Sequence, residues 1–372
     1  MIVAGAHLRD FRSYADERFE IAPGLTVVHG ANGAGKTNLL EAIYFGATAR
    51  SCRTTNEREV VGFGCSAARV ELRTVGSDGF AHELAVGLEP GAAKRITVDD
   101  QNVERLAEHP ARPLVCVFLP DRLELIKGAP SLRRAHLDAL VAALWPARAA
   151  TRRSYSHALA QRNALLARVR GGRAERSSLQ AWNLELAIHG VALRDDRAAA
   201  VALLTDRFAD AAAQLGLDGD AALRYRPRSR AADADGLAVE LAERIDADLQ
   251  RGFTTHGPHR DDLSLARTGR ELRSYGSQGE QRLALLALLL AEREALEDQR
   301  GAPPLLLLDD VMSELDSERR AHLVARVGDP ARPGQTVITT TDLGHVPGAE
   351  GDGVARLAVA GCGVRSEALA AP

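Results

Sequence analysis

Gly30-Ala31-Asn32-Gly33-Ala34-Gly35-Lys36-Thr37 is a complete G-x-x-x-x-G-K-T segment, and its flanks decide how it reads. A short apolar run, Leu25 to His29, precedes it, and Asn38-Leu-Leu-Glu-Ala-Ile43 opens a helical pattern behind it. Strand, glycine loop and helix in that order predict a phosphate-binding loop in an α/β fold. Glycines at 30, 33 and 35 let backbone amides converge on an anion, and the helix adds its partially positive N-terminus. Lys36 has the reach for β- and γ-phosphates, and the Thr37 hydroxyl is a candidate ligand for Mg²⁺. The expected nucleotide contacts are Gly30, Ala31, Asn32, Gly33, Ala34, Gly35, Lys36, Thr37 and Asn38, with ATP and Mg²⁺ as the ligands. The bland alternative, a glycine-rich turn before a helix, leaves the Lys-Thr pair unexplained.

The bulk numbers set the frame. At 372 residues the chain has room for two or three domains with cores of their own. Hydrophobic residues make up 45% and charged ones 26%, as in an ordinary globular protein. Net charge is −3, so any nucleic acid must be met by a local basic patch. Cys52, Cys65, Cys116 and Cys362 are scattered without a C-x-x-C pair and read as reduced thiols. No apolar run approaches the ~18 residues that span a bilayer. The start lacks the features of a signal peptide. The expectation is a cytoplasmic protein with no membrane partner.

Strand patterns fill the first 120 residues: 69–75 and 82–88 alternate around a Gly-Ser-Asp-Gly turn, 94–98 follows, and 114–119 is an apolar run stopped by Pro120. From about 131 to 215 apolar residues recur at helical spacing, with breaks at Pro146 and Gly171-Gly172, which predicts a helical insert folded back on itself. Beyond about 253 the α/β pattern resumes, with a helix from Gln278 to about Gln299 and strands at 305–308 and 336–340. The expected domains are 1–125 (first part of an ATPase head), 126–250 (helical insert or arm) and 251–372 (second part of the head).

Leu305-Leu-Leu-Leu-Asp-Asp310 is the second half of the site. Four leucines fit a strand covered on both faces in a parallel sheet, whose carboxyl end projects acids beside the phosphate loop. Asp309 is the expected partner of Mg²⁺, and Asp310 the group that orients or deprotonates an attacking water. Asp310 and Lys36 are therefore the catalytic candidates, and Thr37 and Asp309 the metal candidates. The third element is Tyr275-Gly-Ser-Gln-Gly-Glu-Gln-Arg282. It resembles the signature of the ABC ATPase superfamily, in which such a segment contacts the γ-phosphate held by a second subunit. Ser277, Gln278 and Gly279 are its candidate nucleotide contacts. Simple helix capping by Ser277, with Glu280 completing a capping box, is compatible with that role.

Within that superfamily the resemblance narrows. Leu8-Arg-Asp-Phe-Arg-Ser-Tyr14 is similar to the L-x-x-F-R-N-Y opening of the RecF family of recombination mediators. The Asn after Gly-Lys-Thr, the block from Phe118 to Arg134, the block Arg251-Gly-Phe-Thr-Thr-His-Gly-Pro-His-Arg-Asp-Asp-Leu263 and the ending Asp309-Asp-Val-Met-Ser-Glu-Leu-Asp316 match it too, in order. Arg122 stands where that family often has Asp, and Ala135 where an aromatic is common. Asp310 replaces the glutamate of transporter-type ATPases, as in RecF itself, which implies slow hydrolysis. The resemblance implies an ABC-type P-loop ATPase head with N-terminal antiparallel strands and a helical insert domain. It also implies ATP-dependent homodimerisation, binding of duplex or gapped DNA with weak DNA-stimulated hydrolysis, and a role in loading recombinase with RecO and RecR. The rivals are an SMC- or RecN-like chromosome-associated ATPase, which needs a longer coiled coil, a transporter-type subunit, which has no use for the Arg-rich insert, and a small-molecule kinase, which has no use for the Ser277 segment.

DNA contact has its own signal. Between Arg122 and Arg176 stand twelve Lys/Arg and three Asp/Glu, including Arg162. Arg133, Arg134, Arg152 and Arg153 are the candidates. Arg224-Tyr-Arg-Pro-Arg-Ser-Arg230 alternates arginine at period two, which places four guanidinium groups on one side of an extended segment. Few aromatics are interleaved, which favours duplex backbone over stacked single strands. A solvated helical face is the plain alternative for these charges. His256 and His259 lack a third ligand at metal spacing and read as residues of a tight turn near the nucleotide. Thr339-Thr-Thr-Asp342 is placed near the γ-phosphate, as the superfamily's switch loop.

Overall fold

A computed structural model describes residues 1–76, 78–119, 123–217, 219–329, 334–351 and 353–367. Arg122, Pro120 and Ser77, each used in the sequence reading, lie outside the described residues. In chain order the first elements are β1 (Ile2–Phe11), β2 (Tyr14–Glu20), β3 (Leu25–His29), α1 (Lys36–Thr48), β4 (Ala68–Val75), β5 (Ala81–Leu88), β6 (Arg95–Val98), β7 (Gln101–Asn102) and β8 (Val115–Phe118). Next come α2 (Glu124–Lys127), α3 (Pro130–Leu144), α4 (Ala149–Arg170), α5 (Leu179–Gln214), β9 (Ala221–Arg226), α6 (Ala234–Glu243) and α7 (Ile245–Arg251). The last are β10 (Asp262–Arg267), β11 (Arg270–Glu271), α8 (Leu272–Tyr275), α9 (Gln278–Arg300), β12 (Leu305–Leu308), α10 (Ser317–Val327), β13 (Thr336–Thr340), β14 (Ala355–Ala360) and β15 (Gly363–Glu367).

Contacts divide the chain into two compact units, one of 1–122, 214–216 and 296–372, the other of 123–213 and 217–295. The second unit therefore runs past the expected boundary at 250. The reason is strand pairing: β9 pairs antiparallel with β10 from Ala221↔Arg267 to Arg226↔Asp262, so a cut at 250 would sever a sheet.

The first unit holds two six-stranded sheets. One is antiparallel, in the order β2-β1-β4-β5-β6-β7. The other runs β15-β14-β3-β13-β12-β8 and is parallel except for β15 at its edge. All four leucines of β12 are buried, which follows from its place between β13 and β8, with both faces covered. One core joins the sheets through α1: Leu8, Leu40, Ile43, Leu72, Leu307 and Val337 belong to the same buried cluster. Gln335 ties strand β1 to this core. Its side chain accepts from the Val3 amide (2.8 Å) and donates to the carbonyls of Val3 (2.7 Å) and Ala22 (3.0 Å). A buried amide with its hydrogen bonds met fixes register without leaving an orphan polar group.

The second unit is mainly helical, with the small antiparallel sheet β11-β10-β9. Tyr155 and Ala158 of α4 pack on Leu186 and Leu193 of α5 and on Leu237 and Leu241 of α6. Leu165 and Leu166 pack on Leu179 and Ile245. These contacts fold α4 and α5 back on each other across the Gly171-Gly172 turn, as their apolar spacing requires. Asp233 caps α6 by accepting from the Gly236 amide, so the Ala/Asp-rich stretch from 231 is a helix start.

Candidate functional site

Parallel pairing brings the carboxyl ends of β3, β12 and β13 to one side, since Thr340 lies opposite His29 and Leu308 opposite Ile338. The glycine loop leaves β3 there. A Cβ on Gly30 would lie 2.2 Å from the Val359 carbonyl oxygen, so only glycine fits beside β14. Gly35 has φ 114°, a region that L side chains rarely enter, and its carbonyl accepts from the Tyr14 hydroxyl (3.0 Å). Gly35 immediately precedes α1, whose first residues are Lys36 and Thr37.

Lys36 is buried, and its Nζ donates to the carbonyls of Gly30 (2.8 Å) and Ala31 (2.9 Å). Burial depresses its pKa, and the charges of Asp310 and Asp309 oppose that shift. Thr37 Oγ1 donates to Asp309 Oδ2 (2.8 Å), and Thr339 Oγ1 donates to Asp309 Oδ1 (2.7 Å). Thr339 also accepts from the Asp310 amide (2.9 Å). Burial raises the Asp309 pKa. The two threonine hydrogen bonds and the Arg53 charge hold it back, while the neighbouring Asp310 adds to it.

Asp310 has a left-handed backbone (φ 45°, ψ 28°). Ser313 Oγ donates to its Oδ2 (3.0 Å), while its Oδ1 is buried with no hydrogen-bond partner among the described residues. Such an orphaned acceptor carries a cost that a donor from outside the chain can remove. The donor set therefore fits a magnesium–nucleotide: a hydroxyl and a carboxylate already in contact, a lysine above the loop, and an acceptor awaiting a proton donor.

Further side chains brace the loop helix, and the phosphate-loop motif alone does not reveal them. Arg12 clamps the buried Glu41 of α1 through Nε (2.9 Å) and Nη2 (2.8 Å). Arg53 Nη1 donates to Glu41 (3.1 Å) and to Asn38 Oδ1 (3.0 Å), and Asn38 Nδ2 donates to Ser13 Oγ (2.9 Å). Burial opposes ionisation of Glu41, yet hydrogen bonds from Arg12 and Ser51 and both guanidinium charges hold its carboxyl below the usual range. The Phe-Arg-Ser-Tyr block is thus a brace for the phosphate-loop helix. Asp342 accepts from the Gly344 amide (2.9 Å) and caps a turn.

Ser277, Gln278 and Gly279 belong to the second unit and are exposed. Ser277 Oγ accepts from the Glu280 amide (3.3 Å), and Glu280 Oε2 accepts from the Ser277 amide (2.7 Å), a reciprocal capping box. A Cβ at Gly279 would meet nothing within 4 Å.

The arginine candidates divide. Arg133 is only 2% exposed and is removed from the DNA candidates. Its guanidinium grips Asp262 (2.7 and 2.9 Å) and donates to the carbonyls of Ile126 and Gly128, so these bonds commit four of its five N–H donors inside the fold. Arg162, 0% exposed, is likewise an internal cation, bonded to Asp248, Asn183 and Thr254. Arg134 is half-buried and donates to the Asp261 carbonyl (2.8 Å), whereas Arg152, paired with Asp138 at 3.0 Å, and Arg153 are exposed. A charge count along the chain cannot separate a buried clamp from a surface cation.

His256 pairs with Glu240 (2.5 Å), and His259 Nδ1 accepts from the Tyr155 hydroxyl (2.7 Å). Among the described residues no group of three His, Cys, Asp or Glu could hold a metal ion. Nor is any helix among them long and apolar enough to cross a membrane.

A family model described as an AAA domain matches residues 6–108. The DNA replication and repair protein RecF of Myxococcus xanthus (strain DK1622) is 38% identical, across 100% of this chain and 99% of that protein. A solved structure of the recombination mediator protein RecF with ATP, in the RecFOR pathway, superposes with a TM-score of 0.87 at 27% identity, covering 98% of this chain and 97% of that one. An SMC head bound to the C-terminal winged-helix domain of ScpA shares the fold alone, at 16% identity and a TM-score of 0.60 over 100% of this chain and 98% of that one.

Proposed function

This chain belongs to the RecF family, and on that premise we propose that it is an ATP-binding DNA replication and repair protein, a recombination mediator that dimerises on ATP. The observation that carries the reading is the 2.8 Å contact of Thr37 with Asp309, which joins the phosphate loop to the acidic strand end. The glycine loop of residues 30–35 and Lys36 bind the triphosphate, and the helix dipole of α1 adds to them. Thr37 and Asp309 would hold Mg²⁺, which would supply positive charge to offset that of the triphosphate. Asp310 orients the attacking water through Oδ1, which has no hydrogen-bond partner among the described residues. A carboxylate one methylene shorter than glutamate reaches less far, so turnover is slow and the ATP state long-lived.

The exposed Ser277 segment supports a composite site, in which it contacts the nucleotide of a second copy. Exposed arginines then hold duplex or gapped DNA by its phosphates, and family membership supports a role in recombinase loading with RecO and RecR. Sedimentation with and without ATP tests this reading. The unaltered protein converts from monomer to dimer with ATP and Mg²⁺, more so with DNA. Lys36→Ala stays monomeric, because triphosphate affinity falls at least about tenfold when the loop loses its cation. A protein whose association ignores ATP would end the proposal.

A further inference from the structure

We propose that Arg267 is a positioning residue for the Ser277 segment: its guanidinium cancels the Glu280 carboxylate, so that a polyanion can approach the start of α9. The inference rests on the reading that this segment meets the nucleotide of a second copy.

The capping box has two consequences. Ser277 Oγ is used as an acceptor by the Glu280 amide, so its own hydrogen remains for an outside acceptor. The box also holds a carboxylate within the first turn of a helix whose N-terminus is to receive phosphate. In an isolated helix that acid is favourable, because it faces the positive end of the dipole. Once a triphosphate arrives, it becomes a like charge at short range.

Arg267, the last residue of β10, forms an ion pair with Glu280 Oε1, while Oε2 stays on the Ser277 amide. The two carboxylate oxygens thus have separate tasks, one structural and one electrostatic. Both partners are about one-third exposed (32% and 27%), and exposed pairs of this kind add little to stability, so folding alone gives weak reason for the pair. Behind it, Gln281 Nε2 donates to the carbonyls of Leu272 (2.8 Å) and Gly276 (3.1 Å) and fixes the loop that leads into Ser277.

Charge rescue tests this, in the full chain, by ATP-dependent association. Arg267→Met weakens ATP-driven dimerisation by roughly five- to tenfold, the effect of one uncompensated carboxylate at a helix N-terminus. Arg267→Lys, which keeps the charge, retains it. Adding Glu280→Gln to Arg267→Met restores association, since the amide still caps Ser277 but carries no charge. Melting temperature and the affinity of the dilute protomer for a fluorescent ATP analogue stay with the unaltered protein in all three. A purely structural role for Arg267 predicts no rescue by Glu280→Gln, and that result overturns the inference, as does normal association of Arg267→Met. Ser277→Ala separates the two levels. If it loses association while Arg267→Met does not, the composite site stands and the Arg267 inference falls. If Ser277→Ala associates normally, both fall.

Discussion

Asp310 and His259 are both half-buried, and each is held for a different reason. Asp310 holds a left-handed backbone that a non-glycine residue enters at a cost, and the cost sits where an acid must be aimed. His259 is structural. Its Nε2 faces the Thr254 carbonyl (3.0 Å) and must carry the hydrogen, which leaves Nδ1 to accept from Tyr155. Burial is the main cause that pushes its pKa down to about 4, with the Arg260 and Arg134 charges adding to it. The unfolded chain therefore binds a proton on this side chain at a higher pH than the folded one. The contribution is complete above the unfolded value of 6.5 and is lost as pH falls from there toward 4, with an upper limit on the order of 3 kcal/mol. Urea melts between pH 7.5 and 4.5 read it as a difference: His259→Leu has a flatter stability–pH curve and is roughly 1–3 kcal/mol less stable at pH 7.5, since the Tyr155 hydroxyl loses its acceptor. Parallel curves for the two proteins would show that His259 does not titrate as argued.

β9 and the four residues after it present a regularly spaced row of arginines. Leu223 and Ser229 are buried on the inner side, Tyr225 bonds Asp261, and the Arg228 amide donates to Asp261 (2.6 Å), while Arg224, Arg226, Arg228 and Arg230 face solvent. The strand itself stops at Arg226, before Pro227, yet the outward alternation continues because Asp261 and Glu240 hold the inner residues. Alternate side chains on extended backbone repeat about every 6.5–7 Å, a spacing suited to successive phosphates. Of these four, Arg226 alone pairs with an acid among the described residues, Glu271 at 2.8 Å. Replacing Arg224, Arg228 and Arg230 by alanine lowers duplex affinity and makes its dependence on log salt shallower by up to about 3, one for each lost phosphate contact. Fluorescence anisotropy across a salt series measures this, and an unchanged slope would place the DNA elsewhere. The α4 face is a weaker candidate than its arginine count promised, because Arg162 points into the core.

The proposed site needs two copies of the chain, which a mixing experiment can expose. Lys36→Ala and Ser277→Ala proteins each lack one half of every composite site. In a mixed dimer, the loop of the Ser277→Ala copy faces the intact Ser277 of the other, so one competent site forms. ATP turnover in the mixture exceeds the sum of the separate proteins, and a merely additive rate would argue for sites complete within one chain. What the sequence alone determined was local and periodic. The strands at 25–29, 305–308 and 336–340, the helix after Gly35, the capping box at Ser277 and Glu280, and the pairing of phosphate loop with acidic strand were all legible, because glycine placement, apolar period and caps act within a few residues. Tertiary structure decided the rest. It turned Arg133 and Arg162 into buried clamps, joined 251–295 to the second unit through β9 and β10, and set Arg12 and Arg53 around the helix behind the loop. Those outcomes depend on which distant residue supplies a carboxylate or a strand edge. An arginine carries the same charge in the chain whether it meets Asp262 across 129 positions or meets water.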